Sequence, residues 1–317
     1  MNIIGAVDTV TKAYIRENEV FADAFNYFIY HGRQVINPQN LKELDTAEIV
    51  MPLNTKGKNT KKQLSAIQKY RDVLKAATIM MDDCGAYVLL GIENQTGVHY
   101  AMPVRNMIYD ALQYGQQVAD IAGQHRKEKN QLRGHNTNEF LSGFYKSDRL
   151  LPVVTLVIHF NEEIWDGPLS LSEMMEIDGN LAEFIQDYKI NLIDPKKIPD
   201  DDLIKFQSSL REVLGCIKYS KDKEKLAAFI NNNPRMNMDV QAARVIEAIT
   251  HMSIEIQEGA EVIDMCQAIE EMVEDGKKEG RLEILMSLVQ DGLLNVTEAA
   301  KRANMTLDEF EKSMNLH

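Results

Sequence analysis

RDVLKAATIMMDDCGAYVLLGIENQ, residues 71–95, is the segment from which the architecture follows. Val73–Met81 is rich in apolar and β-branched residues, and Ala86–Ile92 is the near-continuous apolar run of a buried strand. Asp82-Asp83-Cys84-Gly85 between them has turn chemistry. The segment predicts a hairpin. With the turn at 82–85, paired positions add to about 167, so Asp72 lies opposite 95 and within one pair of 93. Glu93 and Gln95 are two apart and share a face. Asp72, Glu93 and Gln95 then meet at one end of the sheet. Two carboxylates at one spot repel unless they are protonated or neutralised by a cation. A few oxygen ligands that leave a shell incomplete suit Mg²⁺ or Mn²⁺. A metal held there can activate a water for in-line attack on a phosphodiester. The plainer alternative is that Glu93 and Gln95 cap a strand end at the surface.

Outward from the hairpin, the order of elements is that of an α/β domain. Asp8–Tyr30 reads as one amphipathic helix ending near His31-Gly32, with Val20, Phe21, Ala24, Phe25 and Phe28 on its apolar side. A basic stretch precedes the hairpin: Lys56, Lys58, Lys61, Lys62, Lys69 and Arg71 run on to Lys75 against the single acid Asp72. It is either a phosphate-binding surface or a solvated lysine loop. A helix from Pro103 to about Ala122 follows, then a polar connector and a strand over Val153–Phe160. Arg105 and Tyr109, spaced i, i+4, share one helix face. They could reach a phosphate or brace Glu93, or form a polar cluster under the sheet. Trp165-Asp166-Gly167-Pro168 reads as a turn anchored by a buried indole. His99, near Glu93, could face the site, with the surface the favoured placement, and the seven histidines form no metal set.

Beyond Trp165 the periodicity predicts helices throughout: 170–188, 201–219, 221–231, 239–257, one long helix over 259–294, and two short ones over 297–314. Thr297 and Thr306 are the expected N-caps, with Glu309 completing a capping box on Thr306. The last two helices have helix-turn-helix spacing. The second carries Asp308, Glu309 and Glu311 against Lys312, which favours packing or dimerisation over DNA reading.

Composition narrows the function classes. The formal net charge of −13 at first argues against nucleic acid. The charge is uneven, however. Residues 1–160 hold 18 basic and 16 acidic side chains; residues 161–317 hold 17 and 32. The candidate site lies in the nearly neutral half. No apolar run approaches the roughly 20 residues of a membrane span, and Met1–Val10 lacks the pattern of a signal peptide. Three separated cysteines, Cys84, Cys216 and Cys266, give no disulfide framework and no zinc spacing. A cytoplasmic protein is expected.

An ordered set of motifs resembles a known family. Arg71-Asp72-Val73-Leu74, Gly91-Ile92-Glu93-Asn94-Gln95, Ala101-Met102-Pro103-Val104-Arg105 with Tyr109, Pro152–Val157 and Trp165–Leu169 come in order. Leu210–Leu214, Ile217–Ser220 and Glu274–Gly280 follow. Together they resemble the PD-(D/E)XK nuclease family transposases, relatives of the recombination-promoting nucleases, over nearly the whole chain. The resemblance implies a restriction-endonuclease-like core, α-β-β-β-α-β, over 1–165. A helical extension over 166–270 and a C-terminal part over 271–317 would follow it. It implies Mg²⁺- or Mn²⁺-dependent cleavage of DNA, with Asp72 and Glu93 as metal ligands and Gln95 in the place of the motif lysine. This branch commonly carries Gln there. A first-helix acid often completes such sites; Glu17, Glu19 and Asp23 are the candidates, with Glu19 favoured. Lys58, Lys61, Lys62, Lys69, Arg71, Arg105 and Tyr109 are the expected DNA contacts. A homodimer through the C-terminal helices is the expected assembly. Two other readings stand: a catalytically weak or inactive DNA-binding relative on the same fold, and an interaction protein built on the acidic helical half.

Overall fold

In the computed structural model the described residues are 3–44, 72–81, 84–127, 137–252, 254, 256 and 259–315. Lys56, Lys58, Lys61, Lys62, Lys69 and Arg71, and the turn residues Asp82 and Asp83, lie outside them.

A mixed five-stranded sheet organises the N-terminal part. Its strands are β1 (Lys42–Glu43), β2 (Val73–Met81), β3 (Cys84–Gln95), β4 (Val153–His159) and β5 (Asn191–Ile193), in that spatial order. β1–β2–β3 are antiparallel, whereas β4 and β5 run parallel to β3. The parallel step requires a crossover, and helix α3 (Met102–Lys127) supplies it. Two helices precede the sheet: α1 (Ile3–Arg16) and α2 (Asn18–Tyr30).

The sheet separates two apolar layers. Val73, Ala77, Val88, Leu90, Ile92, Leu156 and Ile158 face α1 and α2, in a core that includes Tyr14, Ile15, Phe21 and Phe25. On the opposite face Val157 packs with Met102, Trp165 and Ile190, and Leu74 packs with Val153 and Tyr114. The alternation along β2 and β3 follows the two-residue period of extended chain. It puts Asp72 and Glu93 on the α3 side and Asn94 on the α1 side.

The hairpin register differs from the expected one. Val73 pairs with Ile92 and Met81 with Cys84. The strand therefore begins at Cys84 rather than Ala86, and the continued register sets Asp72 opposite 93 instead of 95. The shift is by two positions, so no side chain changes face. The cause is a tighter turn: Cys84 and Gly85 pair within the ladder instead of closing the loop.

The first helix is broken. Glu17 takes ψ 129°, closing α1 through its N–H to the Tyr14 carbonyl (3.1 Å) and opening α2 by accepting from Phe21 N–H (2.9 Å). Lys75, 1% exposed, occupies the break. Its ammonium donates to the Arg16 carbonyl (2.5 Å) and to Asn18 Oδ1 (2.6 Å). Periodicity did not show this because both halves keep the same apolar phase.

The second half is less helical than its periodicity suggests. Residues 170–188 form two short 3₁₀ turns, Ser172–Met174 and Ala182–Phe184, not a helix. Side chains take the backbone donors: Asp187 accepts from Ser172 N–H (2.9 Å), Glu173 from Leu169 N–H (2.8 Å) and Asp178 from Asn180 N–H (3.1 Å). Such local bonds compete with a helical ladder. The 201–219 segment splits into a 3₁₀ turn (Asp200–Lys205) and α5 (Leu210–Tyr219), after the short α4 (Thr137–Ser142) earlier in the chain. α6 (Lys223–Asn231) precedes α7 (Val240–Thr250), which stops at His251 in the left-handed conformation, short of 257. β6 (Asn237–Asp239) and β7 (Val262–Asp264) form a small antiparallel pair flanking α7. α8 (Met265–Gln290) is shorter than the expected 259–294, because Val262–Asp264 pairs as β7 and the Asp264 side chain caps the helix; α9 (Val296–Ala303) and α10 (Leu307–Asn315) complete the chain. Asn295, not Thr297, caps α9; the Thr306–Glu309 box is formed.

The main core extends into this half. Val213, Leu214 and Ile217 of α5 and Ala243, Val245 and Ile246 of α7 join the layer that holds α1 and α2. Leu285, Met286, Ala299, Ala300 and Phe310 make a separate small core among α8, α9 and α10.

Candidate active site

The carboxyl end of β3 and the start of β2 bring two acids to one edge of the sheet. Glu93 is 0% exposed. Its Oε2 lies 3.2 Å from Arg105 Nη2. Arg105 is on the first turn of α3, and its Nε donates to Tyr109 Oη at 2.7 Å. The i, i+4 spacing thus builds a chain from Tyr109 through Arg105 to Glu93. Burial, with the Glu93 charge beside it, pushes the Tyr109 hydroxyl well above its ordinary range. It stays protonated.

Asp72 is gripped from the other side. Its Oδ2 accepts from the Asn94 backbone N–H (2.9 Å), and its Oδ1 lies 3.1 Å from Lys12 Nζ. Lys12 also pairs with Asp8 at 2.7 Å, one turn earlier on α1. Burial raises the Asp72 carboxyl above the usual carboxylate range; the Asn94 N–H and the Lys12 and Arg105 charges hold it back. Burial works to lower the Arg105 guanidinium, and the charge of Glu93, with Tyr109 and Asp72, raises it on balance. Gln95 is 8% exposed and sits next to His159 in the parallel ladder. His159 meets the Trp165 ring edge-on at 5.2 Å, and burial lowers its imidazole so that it is neutral near pH 7. The Trp165 indole donates to the Gly167 carbonyl (3.0 Å), anchoring the turn.

Sequence reasoning missed several neighbours. Asn94 Nδ2 donates to Thr11 Oγ1 at 2.6 Å, tying β3 to α1 on the face opposite the two acids. His99 is half-buried, close enough for the Arg105 charge and burial together to lower its pKa. Lys12 carried no signal beyond its spacing from Asp8.

The first-helix acids fall elsewhere. Asp23 is buried and accepts from Gln207 N–H, Ser208 N–H (2.8 Å) and Ser208 Oγ (2.7 Å), fixing the loop before α5. Burial, with the charges of Asp239 and Glu19, raises the Glu17 carboxyl above its ordinary value. Glu19 is exposed at the start of α2. The α1 side chain that reaches Asp72 is a lysine. Among the described residues no group of three or more His, Cys, Asp or Glu side chains gathers as a metal cage. Asp72, Glu93 and Gln95, the residues expected to hold an ion, would offer two carboxylates and one amide oxygen. That composition fits a hard divalent ion that keeps waters and takes further oxygens from a phosphate. It does not fit zinc, which prefers nitrogen and sulfur.

A family model described as "Putative transposase, YhgA-like" matches residues 68–245. The chain belongs to that family. It is a family of the PD-(D/E)XK, recombination-promoting-nuclease type, as the motifs resembled. The matched region spans the hairpin, both acids, α3, β4, β5, α5 and most of α7. No curated protein matches the chain, and no solved structure does. Among the described residues no helix is long and apolar enough to cross a membrane.

Proposed function

We propose that this YhgA-like chain is a metal-dependent DNA endonuclease. The observation that carries the reading is the register that sets Asp72 opposite Glu93, with Arg105 3.2 Å from Glu93, at one end of a mixed sheet. The order of helix, antiparallel hairpin, crossover helix and parallel strand supports a restriction-endonuclease-like core. The family's description as a transposase supports DNA as substrate.

Asp72 and Glu93 would hold Mg²⁺ or Mn²⁺, with the Gln95 amide hydrogen-bonding a water or a phosphate oxygen. A divalent ion bound there lowers the pKa of a bound water and offsets charge on the phosphate. The chain's own groups do the rest. The Asn94 N–H orients Asp72, Arg105 orients Glu93, and the protonated Tyr109 fixes Arg105. Water adds to phosphorus as the bridging oxygen leaves and takes up a proton. The products are a phosphate monoester and a free hydroxyl. Lys58, Lys61, Lys62, Lys69 and Arg71 supply the cations that hold the DNA backbone.

Nicking of supercoiled plasmid in Mg²⁺ or Mn²⁺ tests this. Wild type is expected to cleave, and Asp72→Asn and Glu93→Gln to fall to background. Cleavage that survives both substitutions would sink the assignment. A second reading, DNA binding without cleavage, is favoured by the uncharged Gln95. It predicts salt-dependent binding with no nicking in either metal.

A further inference from the structure

Gln95, on the same strand face as Glu93, carries an uncharged amide and brings no cation to the site. The first helix was expected to contribute an acid. It contributes a cation: Lys12 Nζ lies 3.1 Å from Asp72 Oδ1 and 2.7 Å from Asp8 Oδ2.

We propose that Lys12 is the cation that acts on the scissile phosphate, filling from α1 the electrostatic role that Gln95 cannot fill from β3. The inference rests on the nuclease reading and adds a residue to it. Three observations carry it.

First, the ammonium is held in place. Asp8 grips it from its own helix and Asp72 from the sheet, so its position beside the acid pair does not depend on a freely rotating stem. Second, it is reachable. Its side chain is 38% exposed, and Asp8 and Asp72 engage two of the three N–H donors of an ammonium. Third, among the described residues the neighbouring cations are committed to structure. Arg105 braces Glu93 and Tyr109, while Lys75 is buried on the other face, bound to the Arg16 carbonyl and Asn18.

As water attacks phosphorus, negative charge builds on the non-bridging oxygens. A fixed ammonium next to them stabilises that charge most where it is greatest. Lys12 keeps its proton throughout; its contribution is a hydrogen bond and a charge.

The contrary view is that Lys12 merely neutralises Asp72 until a metal displaces it. Removing it would then leave cleavage at saturating metal unchanged. The two views separate in the full chain by measuring plasmid cleavage at saturating Mn²⁺ and, independently, Mn²⁺ affinity by calorimetry. Lys12→Met is expected to lower the cleavage rate on the order of 10²-fold without weakening Mn²⁺ binding. Lys12→Arg should keep more of the rate. Lys12→Met combined with Gln95→Lys should recover about tenfold of the loss, because the charge returns from the other element. Wild-type rates in Lys12→Met overturn the proposal, as does a rate loss that tracks lost Mn²⁺ affinity. Failure of the nuclease reading itself looks different: wild type does not cleave, or Asp72→Asn cleaves as fast as wild type, and the proposal falls with it.

Discussion

Asp72 shows what a buried acid costs. Burial is the largest influence on its carboxyl and raises its pKa, against the opposing pull of Asn94 and Lys12. The folded value therefore lies above the unfolded one, which is about 3.9. The native state binds this proton more tightly, so the stabilising contribution is complete below the unfolded pKa and is lost as pH rises through the folded pKa. At pH 7 the charged Asp72 lowers stability. Asp72→Asn should therefore raise the thermal midpoint at pH 7, with the gain shrinking toward pH 4. An Asn variant that melts below wild type at pH 7 would contradict this. The basic stretch gives a second residue-level test. Replacing Lys58, Lys61 and Lys62 by Gln should flatten the slope of log affinity against log salt by about one per lysine that contacts phosphate. Fluorescence anisotropy with labelled duplex at several salt concentrations measures it. At this scale the sequence placed Asp72 and Glu93 on one face and set Arg105 beside Tyr109. It did not identify Lys12, because α1 and the hairpin are some 60 residues apart and their contact has no local signature.

Two element boundaries depend on single buried polar groups. The break between α1 and α2 is filled by Lys75, whose ammonium takes the Arg16 carbonyl and Asn18 Oδ1. Lys75→Met should leave these acceptors buried without a donor and lower unfolding free energy by about 1–3 kcal/mol. Urea denaturation reads this directly. The loop before α5 depends on Asp23, which accepts two backbone donors and one hydroxyl. Asp23→Ala should cost about 2–4 kcal/mol, with Asp23→Asn milder, since hydrogen bonds to a charged group each contribute about 1.5–3 kcal/mol. An Ala variant as stable as wild type would reopen Asp23 as a ligand candidate. Both boundaries were illegible in advance for the same reason. Apolar periodicity continues across each break, and the polar group that stabilises it comes from elsewhere in the chain. Residues 170–188 failed differently. Their Ser, Asp, Asn and Glu side chains hydrogen-bond the local backbone, and an apolar period is blind to that competition.

The whole molecule joins its halves through one core. α5 and α7, far along the chain, share the layer that holds α1 and α2. The helices that back the sheet therefore rest on residues beyond 200. The α8–α10 cluster is different: Phe310, fully buried, packs on Leu285, Met286 and Ala300 in a core of its own. Phe310→Ala should cost about 3–5 kcal/mol within that cluster. Hydrogen exchange should then show α9 and α10 losing protection while β2–β4 keep theirs. Loss of protection in the sheet as well would show that the clusters are energetically coupled.

The sequence by itself determined the hairpin, the crossover helix, the strand that follows it and the family. Each of these is written in local periodicity, turn chemistry or contiguous motifs. It also placed Asp72 and Glu93 on one face, since a register error of two positions leaves strand parity intact. Tertiary structure alone decided the rest. It set the register, broke the first helix, drew Asp23 away to a distant loop and brought Lys12 to Asp72. These outcomes depend on burial and on partners remote in sequence. A buried polar group must find its hydrogen bond wherever the fold provides one.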